Sequence, residues 1–441
     1  MDHSASPPRA VNVPAGRLAR ITRLGSMASG VAGNMALSGI GEIARGRRPG
    51  FQDLLLTPNN VRRIADDLAR MRGAAMKIGQ LISMDTGDIL PPELADVMAR
   101  LRADADYMPP KQLRSVLNRN WGPDWLRHFK NFDVTPIAAA SIGQVHRART
   151  KDGRDMAIKV QYPGVARSID SDVSNVGALI KVSGLVPRGF EIDPYLDEAR
   201  RQLHSEADYE REGGCMAEFR NLLADQDDFT LPELYEDFTT KHVLAMSYVP
   251  SRPIEEAEAL DQETRNRIAE RMIILLCREL FEFGQMQTDP NFANYRYEPE
   301  TGRIVLLDFG ATRHFDDALI GQYRRLFRAG LAHDLVALRE VAIEIGFVGP
   351  ETAERHQAAV LGMIAMVFEA VREGEIFDFG DRALSHRMNE AGAALAEDGY
   401  VPPPIPIDAL FLQRKFAGVF LLCNKLKARL PLQDLLDRWT A

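Results

Sequence analysis

Two strand-like runs, Ile137–Arg149 and Asp155–Tyr162, flank a Lys151-Asp152-Gly153 turn in a chain whose apolar period is otherwise mostly helical. Shorter strand-like runs follow at Leu231–Tyr235, Val243–Tyr248 and Ile304–Leu307, with a long helical pattern at Tyr195–Leu223. From Asp316 the period is helical nearly to the end, and no internal repeat interrupts it. That succession, helices before residue 130, β-then-α to about 310 and helices after, restricts the chain to an α+β class. Composition agrees. With 441 residues, 45% hydrophobic and 26% charged, the chain is globular and long enough for two or three domains. Its 33 Gly and 25 Pro exclude collagen-like or low-complexity readings. Cys215, Cys277 and Cys423 are too scattered for a zinc site or a disulfide scaffold, which fits a reducing compartment.

Charge is unevenly spread. Residues 1–50 carry Arg9, Arg17, Arg20, Arg23, Arg45, Arg47 and Arg48 against Asp2 and Glu42, a net +5. The whole chain is −8, so the remainder is −13. An acidic body argues against nucleic acid as a partner. No stretch reaches the roughly 18–20 apolar residues of a membrane span, and no secretory signal pattern is present. An Arg-rich, acid-poor head is also the texture of a mitochondrial transit peptide, against which Asp2 and Pro7-Pro8 speak. Between Gly16 and Arg45, Leu18, Ile21, Leu24, Met27, Val31 and Met35 recur at helical spacing with Arg17, Arg20 and Arg23 on the flank. This is an amphipathic helix that suits either an anionic membrane or partner, or its own domain. A second helix spans Asn60–Met84, with Ile64, Leu68, Met71, Ala75, Ile78 and Leu81 in one stripe, and Leu90-Pro91-Pro92-Glu93 opens a third.

The chemistry-bearing residues come in a fixed order. Ala138-Ala139-Ala140-Ser141-Ile142-Gly143-Gln144-Val145 can be laid on the phosphate loop G-x-G-x-x-G-x-V, with two of its three glycines replaced by alanine. A methyl group there narrows the approach of backbone N–H groups to phosphate. Met156-Ala157-Ile158-Lys159 matches the V-A-I-K strand, whose lysine meets the α- and β-phosphates. Glu206 and Glu212 supply helix carboxylates; six residues apart, they do not share one narrow face and could address two lysines. Asp289 and Asn294 hold the D-x-x-x-x-N spacing of a catalytic loop, with Gln287-Thr288 where His-Arg usually stands. Val305-Leu306-Leu307-Asp308-Phe309-Gly310 ends an apolar strand in an acid suited to hard Mg²⁺. Each element alone is commonplace, but their common order points to an ATP site. After Gly310 the chain runs through Ala311–Asp317 straight into a helix, with no Ala-Pro-Glu and no long segment to seat a peptide.

Lys77-Ile78-Gly79-Gln80, Ala138–His146, Glu206–Glu212, Gln287–Asn294 and Asp308–Gly310 together resemble the UbiB, or AarF-like, family of atypical kinases, from about Val13 to Asp437. Gln287–Asn291 and Phe420–Arg429 look closest to its coenzyme Q assembly branch. The resemblance implies a protein-kinase-like bilobal fold with a helical N-terminal extension carrying K-x-G-Q and a helical C-terminal lobe. The expected division is a basic head at 1–50, the extension at 51–130, an N-lobe at 131–250 and a C-lobe at 251–441. It implies that Lys159 contacts the phosphates and pairs with Glu206, and that Lys77, with Gln80, folds over the site and pairs with Glu212. Asp289 becomes the catalytic-loop acid, and Asn294 and Asp308 the Mg²⁺ ligands. Ala138, Ala139, Ala140, Ser141, Gly143, Val145, Lys159 and Met246 form the nucleotide-binding set. The alanine loop is implied to favour ADP and disfavour ordinary phosphotransfer. Gly213-Gly214 departs from the family pattern and is expected to weaken the helix beside Glu212 by about 1 kcal/mol per glycine. The implied function is an ATPase-like kinase supporting ubiquinone or related isoprenoid-lipid synthesis. It would lie peripherally on the inner, cytoplasmic membrane face, or in the matrix of a mitochondrion. Its implied partners are anionic lipid, quinone precursors, a biosynthetic complex or a second copy of itself. A small-molecule or protein phosphotransferase and a nucleotide-binding scaffold are the alternatives.

Overall fold

A computed structural model describes residues 71–86, 107–183, 192–400, 402–403 and 405–440. The segment 16–45, Ile64, Leu68 and Leu90–Glu93 lie outside the described residues. The chain divides into two units, one running to Gly214 and including 233–248, the other comprising 215–232 and 249 onward.

In the first unit, the run Ile137–Arg149 forms two strands rather than one. β1 (Phe129–Phe132) precedes β2 (Ala138–Ala139), which folds back on β3 (Gly143–Thr150) so that Ala138 faces Val145 and Ala139 faces Gln144. The Ala140 N–H donates to the Gly143 carbonyl at 2.9 Å, closing a turn at Ser141 and Ile142. β3 pairs antiparallel with β4 (Asp155–Gln161), and β4 with β5 (Val243–Ser247). β4 is the central strand, buried from Met156 to Gln161, and its alternation sorts two environments. Met156, Ile158 and Val160 join a core with Leu113, Val116 and Leu117 of α2 (Pro110–Trp121), together with Trp125 and Phe129. Each such side chain contributes about 1.5–3 kcal/mol on burial. Ala157, Lys159 and Gln161 point to the other face.

Among the described residues this unit has four further helices: α1 (Arg72–Thr86), α3 (Val165–Ser183), α4 (Asp193–Glu206) and α5 (Tyr209–Leu222), the last continuing into the second unit. Met71, Ala75, Ile78 and Leu81 are buried, as their stripe predicts, and α1 packs on α3 and α4. The pattern at Tyr195–Leu223 is two helices. Asp208 accepts from the Arg211 N–H at 3.1 Å and so caps α5, which is why the first helix stops at Glu206. Gly213-Gly214 does not break α5. A Cβ on Gly213 would lie 2.9 Å from Leu234 Cδ1, so this glycine is needed for close packing, while Gly214 faces open space.

In the second unit, α6 (Gln262–Phe281) is capped by the Asp261 side chain. β6 (Gln285–Gln287) pairs with β9 (Thr312–His314), and β7 (Tyr295–Tyr297) with β8 (Ile304–Leu306). The strand expected at 231–235 is instead Phe229–Thr230, parallel to β8. After β9 the chain enters α7 (Asp317–Leu331), capped by Asp316, with no intervening long segment. α8 (Leu335–Ile345), α9 (Glu354–Arg372), α10 (Ala383–Glu397), α11 (Ile407–Lys425) and α12 (Leu432–Asp437) follow. Among the described residues, the short strand pair Phe377–Asp378 with Arg429–Leu430 interrupts the expected helical run.

Candidate active site

The first unit gathers Val145, Lys159 and Met246 on one sheet face. Val145 lies opposite Lys159, and Met246 opposite Ala157, so the ladder turns these side chains to the same side. Lys159 Nζ donates to both carboxylate oxygens of Glu212 at 2.8 and 3.0 Å. The two side chains are 8% and 2% exposed, so this pair is desolvated and geometrically fixed. Nζ also lies 5.2 Å from the centroid of the Tyr209 ring.

This reverses the expected pairing. Lys77 forms its ion pair with Glu206, not Glu212. The cause is the break at Ala207-Asp208: Glu206 ends α4 while Glu212 sits in the first turn of α5, so the two acids belong to different helices. Glu206 also accepts from the Ser141 hydroxyl at 3.1 Å. One carboxylate thus joins α1 to the tip of the alanine hairpin. Gln80 lies on α1, but its side chain is outside the described residues.

Of the alanine-loop residues, Ala138, Ala139 and Ser141 are exposed, Ala140 is half-buried and Gly143 is buried. A Cβ on Gly143 would lie 2.6 Å from the Val160 carbonyl oxygen and 2.7 Å from the Tyr209 hydroxyl. Glycine at 143 is therefore required by the interior. Gln144 and His146, inside the same motif, form a buried relay. Gln144 contacts His146 Nε2 at 2.8 Å and accepts from the Met108 N–H at 2.8 Å, while His146 Nδ1 meets the Asp133 carbonyl at 2.7 Å. Burial lowers the His146 pKa, opposed by Asp133.

The second unit holds Asp289, Asn294 and Asp308. Asn294 Nδ2 donates to Asp289 Oδ2 at 3.2 Å, committing its nitrogen and leaving its amide oxygen as a donor for a cation. The Leu307 N–H donates to the Asn294 carbonyl at 2.9 Å, so Asp308 follows a residue tied to Asn294. Asp308 has φ +59°, a left-handed conformation uncommon outside glycine, and its Oδ1 accepts from the Gly310 N–H at 3.1 Å. Phe309 is buried against Phe219, with ring centroids 5.1 Å apart.

Sequence reasoning missed the groups that hold this loop. Arg414 Nη2 donates to Asp289 Oδ1 at 2.9 Å. Lys415 Nζ donates to the Gln287 carbonyl at 2.6 Å and the Tyr295 hydroxyl at 2.9 Å, and pairs with Glu279 at 3.0 Å. Burial alone would lower the Lys415 pKa, but Glu279 and Tyr295 reverse the sign and hold it above the usual lysine value. Both lie on α11, 125 or more residues from their loop partners, and no local motif announces them.

Residues 100–342 match the ABC1 atypical kinase-like domain. The chain is 36% identical over 420 residues to the mitochondrial atypical kinase COQ8 of Saccharomyces cerevisiae, covering 95% of this chain and 83% of that protein. It is also 36% identical to the mitochondrial atypical kinase COQ8B of Danio rerio, covering 97% and 69%. Among solved structures, the Rv3197–erythromycin complex of Mycobacterium tuberculosis shares the fold. Its TM-score is 0.60 at 22% identity, with 86% of this chain and 94% of that chain covered.

Proposed function

The chain belongs to the UbiB family of ABC1-type atypical kinases and is an ATP-dependent enzyme of that kind, and on that premise we propose that it hydrolyses MgATP at an anionic membrane surface in support of ubiquinone or related isoprenoid-lipid synthesis. The observation that carries the reading is the buried Lys159–Glu212 pair, which fixes an ammonium on one face of the central strand β4. An ammonium so held is placed for polyphosphate.

The donor chemistry suits the implied cofactor. Asn294 and Asp308 offer an amide and a carboxylate oxygen, the hard ligands that Mg²⁺ takes alongside substrate phosphates and water. When bound, MgATP supplies the phosphoryl group and the charge that neutralises its oxygens. Lys159 binds phosphate and Glu212 orients it. Ala138 and Ala140 narrow the backbone approach at the hairpin, and Met246 and Val145 line the same sheet face as Lys159. Asp289 orients the attacking nucleophile. The short passage from β9 into α7 supports a small nucleophile over a docked peptide.

Membrane action rests on the basic segment with Arg17, Arg20 and Arg23, each contributing about 1 kcal/mol beside anionic lipid. Among the described residues no helix is long and apolar enough to cross a membrane. The relatives' names place them in mitochondria, and the matrix side of the inner membrane, or the cytoplasmic face in a bacterium, is the proposed location. The test is ATP hydrolysis by the full chain with and without anionic liposomes. Asp308→Asn should abolish turnover, and charge reversal at Arg17, Arg20 and Arg23 should remove liposome stimulation while sparing the basal rate. Turnover surviving Asp308→Asn would sink the ATPase reading. Label transferred to an acceptor and lost in Lys159→Ala would replace it with a phosphotransferase.

A further inference from the structure

We propose that Arg414 is a positioning residue for Asp289, and that α11 replaces the missing His-Arg pair as the element that fixes the catalytic loop. The inference rests on the reading of Asp289 as the catalytic-loop acid.

Three residues of α11 meet three residues of the loop. Arg414 holds Asp289 Oδ1 at 2.9 Å. Lys415 holds the Gln287 carbonyl at 2.6 Å. Gly418 admits Pro290: a Cβ there would lie 2.2 Å from Pro290 Cβ, so no larger residue fits without moving the loop. Spacings of three and four residues put Gly418 on the same helix face as Lys415 and Arg414. The helix itself cannot swing away, because Lys415 is buried and paired with Glu279, whose other oxygen accepts from the Gln287 N–H at 3.1 Å.

The residues occupying the His-Arg positions are committed elsewhere. Gln287 is buried on β6, and the Thr288 hydroxyl donates to the Ala311 carbonyl at 2.8 Å. The two oxygens of the Asp289 carboxylate are taken by Arg414 on one side and Asn294 on the other. An exposed ion pair would contribute little to geometry. Here the Arg414 and Asp289 side chains are only 18% and 24% exposed, and the neighbouring Lys415 pins the helix. The carboxylate is therefore held in one orientation before substrate arrives, the condition for efficient use of a catalytic group.

The experiment measures steady-state ATP hydrolysis and nucleotide affinity for Arg414→Ala, Arg414→Lys, Asp289→Asn and the double variant Asp289→Asn/Arg414→Ala in the full chain. Arg414→Ala should lower kcat about 10- to 100-fold, with KM for ATP and ADP affinity unchanged. Arg414→Lys should recover part of that loss. In the Asp289→Asn background, removing Arg414 should cost nothing more, since its effect passes through that carboxylate. Full activity of Arg414→Ala alongside an inactive Asp289→Asn would overturn the inference and leave the reading of Asp289 standing. So would losses that multiply in the double variant. An Arg414→Ala protein that has lost ADP affinity and is not rescued by lysine would assign Arg414 a merely structural role. A fully active Asp289→Asn would remove the premise itself.

Discussion

Glu212→Ala should separate the two lysine–glutamate pairs. Glu212 is 2% exposed and both its oxygens accept from Lys159 Nζ. Removing one partner of a buried pair costs about 3–5 kcal/mol, because the remaining charge stays in a poorly solvated site. Against a total stability of about 5–15 kcal/mol that is a large fraction. At about 2–4 °C per kcal/mol for a unit of some 200 residues, the midpoint should fall by roughly 6–20 °C. Chemical denaturation of wild type, Lys159→Met, Glu212→Leu and the double variant gives the coupling directly. The double variant should recover much of the loss, since apolar replacement of both members of a buried pair is often close to neutral. A parallel cycle with Glu206 in place of Glu212 should give a smaller coupling to Lys159. If Glu206 couples to Lys159 more strongly than Glu212 does, the pairing described above is wrong.

Gly143→Ala should destabilise by about 1–3 kcal/mol, because its methyl group meets the Val160 carbonyl, whereas Gly214→Ala, in open space on a helix, should stabilise by up to about 1 kcal/mol; urea midpoints distinguish them. Burial holds the folded pKa of His146 below its ordinary 6.5, so the unfolded chain takes up the proton first as pH falls. The stability that depends on neutral His146 is full above pH 6.5 and declines as the solution is acidified toward its folded pKa. His146→Asn should flatten that acid limb in a pH series of unfolding curves. Cys277 and Cys423 are buried, which pushes both thiols up to about 12, and neither should react with maleimide at neutral pH until the protein is unfolded.

Local chemistry was legible wherever a residue's role is decided by its immediate neighbours. Lys159 lies within an apolar strand, and Asp308 precedes Phe-Gly just after another. The five-residue step from Asp289 to Asn294 is short enough for a single loop to satisfy. Pairings decided by helix termini were not legible. Glu206 and Glu212 read as one periodic run, and only the side-chain cap from Asp208 assigns them to different helices. Arg414 and Lys415 were invisible for another reason: an apolar helix that carries an Arg-Lys pair resembles many others until the loop it grips is placed against it. The Gly213-Gly214 pair misled because helix propensity counts the entropy cost of glycine but not the leucine side chains that only a glycine admits at 213.

Glu206 accepts from both Lys77 and Ser141, so α1 and the hairpin tip share one acceptor. Binding energies routed through a shared group are reciprocal. A ligand that draws Ser141 away from Glu206 alters the grip on Lys77, and whatever tightens or loosens α1 changes the affinity at the hairpin by the same factor. The helix that leads back toward the basic head and the loop that carries the alanines would then titrate each other, with a single carboxylate as the point of exchange.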